Sequence, residues 1–222
     1  MDQGRYYNRA VSSSTRGVIA GGTGDITGSP AMTSNMQFVT TSSEGGTNDF
    51  GEMDFARTIP TTGNSNDFGS LSEAQDQGAG INSPTRGIFA GNAAPSKENL
   101  ITFVTISTLG NAADFGDLTA SKGALSGASS STRGLTFGGN TPSGFVNNID
   151  LITIPTLGNA TDFGDLLAVN SESTAASSQI RALCAGGESP SGSTWTNVIQ
   201  YVTIANAGNA VDFGDLTVAR GN

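Results

Sequence analysis

The chain has 222 residues, enough for one large domain or two small ones, with 31 glycines, 13% charged residues and a formal net charge of −9. A globule of this length buries about 70% of the surface that its unfolded chain exposes, so neither a metal nor a disulfide staple is required. An acidic chain without a basic cluster repels a phosphate backbone, which argues against nucleic acid, and no run approaches the roughly 20 apolar residues of a membrane span, so no membrane insertion is expected.

The N-terminal stretch, Met1 to Ala10, lacks an apolar core of the kind a leader needs, and the protein reads as soluble and made without a signal peptide. A single cysteine, Cys184, can form no internal bridge and implies no oxidising compartment. The abundant Gly, Ser, Thr and Asn suit many turns between short strands. Because the apolar residues recur in regularly spaced clusters, a disordered Gly/Ser tract is excluded.

Taken in chain order, the sequence divides into four similar units at about 5–74, 75–121, 122–169 and 170–222, read together as a single domain over 1–222. Each begins with a small-residue strand, as in Lys122 to Ser130, followed by an arginine that opens a second strand: Arg16, Arg86, Arg133 and Arg181. Five residues after each arginine stands a glycine, at Gly21, Gly91, Gly138 and Gly186, and a second glycine follows in three units, with Asn92 in its place in the other. The third strand is apolar, as in Ile101 to Ile106, and both of its faces are apolar under period-2 alternation. Such a strand belongs between neighbouring sheets. A Gly-Asn-Ala segment at Gly110, Gly158 and Gly208 predicts a tight turn, and an Asp-Phe-Gly triplet centred on Phe115, Phe163 or Phe213 predicts the fourth strand.

The first unit is longer. Arg16 and Arg86 are 70 residues apart, against 47 and 48 for the next two intervals, and the excess carries a second Asp-Phe-Gly, so that copies occur at both Asp49 and Asp67. The sequence leaves open whether this adds a hairpin to one sheet or makes a partial fifth blade. The positions Arg5, Gln75, Lys122, Asn170 and Arg220 share one phase of the repeat, so the chain starts and stops at the same point, which suits a closed ring and leaves open whether it closes within one chain or by blades completed between molecules.

A strand ending in a Gly-Gly doublet, a strand with an aromatic, and a turn leading to an aromatic with leucine three residues on together resemble kelch repeats, with Phe115, Phe163 or Phe213 where kelch units carry Trp. The wording Ser-Ser-Ser-Thr-Arg-Gly, Val-Thr-Ile and Gly-Asn-Ala-x-Asp-Phe-Gly-Asp-Leu is similar to repeats of virion-associated proteins of marine tailed phages, especially cyanophages. The resemblance implies an all-β, kelch-like β-propeller of about four blades, each of four short strands. It also implies a non-enzymatic virion structural protein, attached to capsid or tail, assembled in the host cytoplasm beside other virion proteins and available for adhesion to host-surface glycans. The alternative reading is a soluble carbohydrate-binding or adhesion module of a bacterium. Oligomeric state is left open, a homo-oligomer included.

Candidate chemistry is sparse. The chain contains no histidine, the commonest general base, and Cys184 therefore reads as core; no cofactor and no enzymatic activity are expected. Asn111, Asp114 and Asp117 offer hard oxygens for calcium, but the structural alternative has Asp114 capping its own turn and Asp117 pairing with an arginine such as Arg133. The four arginines are expected to lock one unit to the next. The loops between second and third strands vary most, and in them Ile26, Met32, Lys97, Phe145 and Trp195 are the candidate binding residues.

Overall fold

In the computed structural model, residues 5–6, 9–13, 16–21, 23–24, 31–32, 34–40, 66–190 and 194–221 are described, and among them there is no helix. The architecture is all-β. Four antiparallel four-stranded sheets follow one another along the chain, and within each the strands pair in sequence order. The first sheet is Arg9–Ser12, Arg16–Ala20, Asn35–Thr40 and Asn66–Ser70. The second is Ala79–Asn82, Arg86–Asn92, Glu98–Thr105 and Ala113–Asp117. The third is Ser126–Ser129, Arg133–Phe137, Asn148–Thr153 and Thr161–Asp165, and the fourth is Thr174–Ser177, Arg181–Ala185, Val198–Thr203 and Val211–Asp215.

The first sheet draws its fourth strand from one of the two Asp-Phe-Gly copies. Its third strand pairs directly with Asn66–Ser70, so the sheet is completed by the second copy. The first copy, at Asp49, and the intervening Arg57-Thr58-Ile59 lie outside the described residues.

The Asp-Phe-Gly triplet proves to be the signature of a β-bulge. In the second sheet Ile101 faces Gly116 and Thr102 faces Asp114, so Phe115 is the extra residue that the ladder skips; Phe68, Phe163 and Phe213 are skipped in the same way. A bulge leaves one residue unpaired and re-aims it. The aspartate closes the bulge, because Asp114 Oδ1 accepts the Gly116 N–H at 3.1 Å, as Asp67 and Asp212 do for Gly69 and Gly214. This agrees with the turn-capping reading of Asp114.

Each hydrophobic core lies between two consecutive sheets. Val18, Met36 and Phe68 of the first unit meet Phe89, Val104 and Ile106 of the second. Ile81, Ile88, Ile101 and Phe115 of the second meet Ile152 and Ile154 of the third. Leu135, Phe137, Ile149 and Phe163 of the third meet Cys184, Val202 and Ile204 of the fourth. One face of the third strand thus serves the preceding core and the other the following one, as the two-sided apolar pattern predicts.

The expected ring is not closed. Phe115 and Phe163 are 3% and 2% exposed beneath the following unit, whereas Phe213 is 56% exposed. Nothing among the described residues covers the far face of the fourth sheet. Repeat phase fixes where a unit begins; the rotation from sheet to sheet is set by side-chain sizes at the junctions, which phase does not encode.

Glycine in the triplet is required by close approach as well as by φ. Gly116 has φ of +144°, and a Cβ there would lie 2.6 Å from the Gly158 carbonyl group of the next unit; Gly214 has φ of +141° but nothing within 4 Å. Chemical denaturation should therefore rank the two alanine variants. Gly214→Ala should cost about 1–2 kcal/mol for backbone strain alone, and Gly116→Ala about 1–2 kcal/mol more for displacing the next unit. Equal costs would remove the close-approach argument.

Candidate functional site

The repeated polar residues converge on the junctions between units. Arg16 lays its guanidinium over Phe38 of its own sheet, 4.6 Å from the ring centroid, and donates from Nη1 to the Ile106 carbonyl of the next unit at 2.9 Å. Arg86 stacks on Phe103 at 5.0 Å and donates to the Ile154 carbonyl at 2.7 Å. Arg133, with Leu151 in place of the ring, donates to the carbonyls of Ile204 at 3.0 Å and Ala205 at 2.7 Å. Arg181 stacks on Tyr201 at 4.8 Å and has no following unit among the described residues. Each stacked ring meets the skipped Phe edge-on, as Phe103 does with Phe115 at 5.9 Å. Arg16, Arg86 and Arg133 thus lock unit to unit, through backbone carbonyls.

Both edges of the first three sheets are closed by the unit that follows. On the outer edge, Gly158 and Ala160 N–H groups donate to the carbonyls of Phe115 and Asp117, and Asn159 Oδ1 accepts the Asp117 N–H at 3.1 Å. Asn111 and Asn209 repeat the bond at the other two junctions, to Ser70 and Asp165. On the inner edge, Ser129 Oγ donates to the Asn82 carbonyl at 2.8 Å and accepts the Asn82 N–H at 3.3 Å; Ser177 does the same for Ser129 at 2.7 and 3.1 Å. The hairpin turn expected at Gly-Asn-Ala falls earlier, where the N–H groups of Thr108, Thr156 and Asn206 bond to the carbonyls of Thr105, Thr153 and Thr203, and Gly-Asn-Ala is instead a junction element drawn to the preceding unit.

These bonds reassign the calcium candidates. Asn111 faces the preceding unit, Asp114 caps the bulge, and the Asp117 backbone is paired with Asn159 of the following unit. Among the described residues no group of three acidic or thiol side chains is placed to hold a metal ion. The expected Asp117 to Arg133 pair does not form, because Arg133 is drawn to the fourth unit's carbonyls.

The variable loops fold back onto the chain. Asn140–Thr141 pairs with Gly144–Phe145, and Asn140 bridges to Gly123 in the segment that enters the third unit; Glu188–Ser189, Thr194–Trp195 and Ser171 repeat the arrangement in the fourth. Phe145 is half-buried. Lys97 Nζ donates to Asn140 Oδ1 and to the Thr141 carbonyl, both at 2.9 Å, which ties two loops together. Trp195 is 40% exposed, and its ring lies against Gly221 so closely that a Cβ there would collide with it. Ile26 lies outside the described residues, and Met32 ends the short strand Ala31–Met32. The meander places these loops at one end of every sheet. At the opposite end an open cavity of ≈ 500 Å³ is lined by Ser12, Asn82, Ser129, Ser131, Ser177 and Gln179.

Sequence reasoning missed a buried ion pair. Lys122 and Asp150 are both 0% exposed, with Nζ 3.1 Å from Oδ2, and Asp150 Oδ1 accepts from Thr119 Oγ1 at 2.6 Å and Asn148 Nδ2 at 2.7 Å. Burial pushes the Lys122 ammonium below its ordinary range, against the opposing pull of the carboxylate. The signal was present: Asp150 is a charge inside an apolar strand, where the second and fourth units carry Thr102 and Gln200, both buried. Cys184 is buried beside these cores, and desolvation pushes its thiol up, as suits a packing residue.

No family model matches the chain, and no curated protein sequence matches it.

Two sets of variants follow. Arg86→Ala removes a charged hydrogen bond and a ring contact and should cost about 2–3 kcal/mol, while Arg181→Ala in the same monomer should cost under about 1 kcal/mol. Lys122→Met alone or Asp150→Leu alone leaves a buried charge unpaired and should cost about 3–5 kcal/mol, with most of that recovered in the double variant. Additive losses in the double variant would mean that the two side chains act independently.

Proposed function

We propose that the chain is a non-enzymatic structural protein of a tailed-phage particle. In this reading its four sheets are blades of a kelch-like propeller, and the loop end carrying Phe145 and Trp195 faces the host surface. One observation carries the non-enzymatic part: the repeated arginines, asparagines and serines spend their hydrogen bonds on joining units, which leaves the repeat a scaffold. The propeller reading is supported by the inner strands, which lie side by side from sheet to sheet, each linked to the next through a serine or asparagine. Blades that converge on an axis have that arrangement. The virion reading draws on the resemblance of the repeat wording to phage virion-associated proteins.

Glycan adhesion has its own support in Trp195, an aromatic ring partly open to solvent beside the hydroxyl-bearing Ser189 and Thr194, since sugar faces stack on such rings. The same observation serves a soluble bacterial carbohydrate-binding module, and the two readings part over the particle. Mass spectrometry of gradient-purified, salt-washed phage should find the chain at a fixed ratio to the capsid protein. Its loss on washing, or its absence, would refute the virion reading. On a glycan array, Trp195→Ala should weaken binding by about tenfold or more, the scale of losing one aromatic contact; unchanged binding would move adhesion away from this loop.

A further inference from the structure

The cavity of ≈ 500 Å³ at the end opposite the variable loops is lined by the turns that join first to second strands in all four units. Its volume falls within the about 300–1,000 Å³ of small-molecule sites. The segments that meet there lie a whole repeat apart in the chain and are held together by bonds between units. Ser129 Oγ bonds to the backbone of Asn82, and Ser177 Oγ to the backbone of Ser129.

Two carboxamides in the lining are fixed at one atom and free at the other. Asn82 Nδ2 donates to the Ser12 carbonyl at 2.9 Å, which leaves Asn82 Oδ1 as an acceptor with no partner among the described residues. Gln179 Oε1 accepts the Ser131 N–H at 2.9 Å, which leaves Gln179 Nε2 as a donor with none among them. The Ser12 and Ser131 hydroxyls lie in the same lining and are likewise unspent among the described residues. Pro84, which is exposed, adds an apolar wall. Arginine is the sole charged residue type of these turns, and its guanidinium is laid over Phe38, Phe103 or Tyr201 or, for Arg133, bonded to carbonyls of the fourth unit. The lining itself carries no charge among the described residues.

Both carboxamides are departures from the repeat. Asn82 stands where the other units have Ser12, Ser129 and Ser177, and Gln179 stands where they have Ser14, Pro84 and Ser131. The junctions do not call for either. Ser129 and Ser177 reach the preceding carbonyl with a hydroxyl, so serine at position 82 would serve the same bond, and the carboxamide adds a further acceptor aimed elsewhere.

We infer that this cavity binds a neutral saccharide. Sugar hydroxyls both donate and accept, which matches a fixed acceptor, a fixed donor and two hydroxyls, and the C–H face of a sugar ring fits against Pro84. An ion would lose its hydration here without gaining a counter-charge. Because each carboxamide is already held by its other atom, little rotamer freedom is lost on binding. The site is separate from the Trp195 loop, and it stands whether or not the chain belongs to a particle.

Nuclear magnetic resonance on the isotope-labelled chain tests this, with maltose, lactose and N,N′-diacetylchitobiose as neutral probes and their charged counterparts chitobiose and lactobionate beside them. A neutral disaccharide should shift, saturably, the side-chain amide signals of Asn82 and Gln179 and the backbone amide of Ser131, and the charged counterparts should bind about tenfold or more weakly. Gln179→Glu keeps an oxygen to accept from Ser131 but replaces the free donor with an acceptor. It should weaken binding by about tenfold at an unchanged melting temperature. Ser131→Tyr, at an exposed position, should fill the cavity and abolish binding. Absence of a saturable shift with all three neutral disaccharides at high-millimolar concentration would overturn the proposal. So would shifts confined to Trp195 and its hairpin, which would put the sugar on the loop end alone. Binding that survives both variants, or charged sugars bound as tightly as neutral ones, would equally overturn it.

Discussion

The fold depends on one junction, repeated. A single four-stranded sheet of this kind, apolar on both faces and open along both edges, cannot persist in water by itself. What stabilises it is the next unit, which covers one face with apolar side chains, accepts the arginine N–H through a backbone carbonyl, and closes both edges with serine and Gly-Asn-Ala groups. The bulge at Asp-Phe-Gly is the local device that makes this work. It takes Phe out of the ladder and aims it at the neighbour, and its glycine lets the neighbour's backbone approach.

Much of this is legible in the residues. The strand order, the arginine as a lock and the aspartate as a turn cap follow from spacing and side-chain chemistry. The partners of those groups are less accessible, because they lie a whole repeat away. Nothing in the wording of Asn111 indicates that it bonds to Ser70, and nothing in Arg133 tells that two carbonyls outcompete Asp117 for it. The ion pair of Lys122 and Asp150 is hidden differently. Lys122 marks the repeat phase beside Gln75 and Asn170, and only burial of all three positions reveals a polar layer under the sheets. Closure is not legible either, since equal phase at the two ends of a repeat is as compatible with an open array as with a ring.

The loops show the same division between pattern and partner. Their variability and aromatic content are plain from sequence. That they pair back onto the chain through Gly123 and Ser171, and so hold Phe145 half-buried and lay Trp195 against Gly221, depends on hydrogen bonds that variable residues do not advertise.

The central claim, that each unit is held by the one after it, is tested most directly by amide hydrogen exchange read at single residues, at a concentration where the chain is monomeric. The N–H groups of Asp117 and Asp165 are bonded to asparagine side chains of the following unit, and the N–H of Asp215 occupies the same place in the fourth unit, against which no further unit packs among the described residues. The account predicts strong and similar protection at Asp117 and Asp165, with fast exchange at Asp215. Equal exchange at all three would contradict it, because the outer edge would then owe its order to its own sheet.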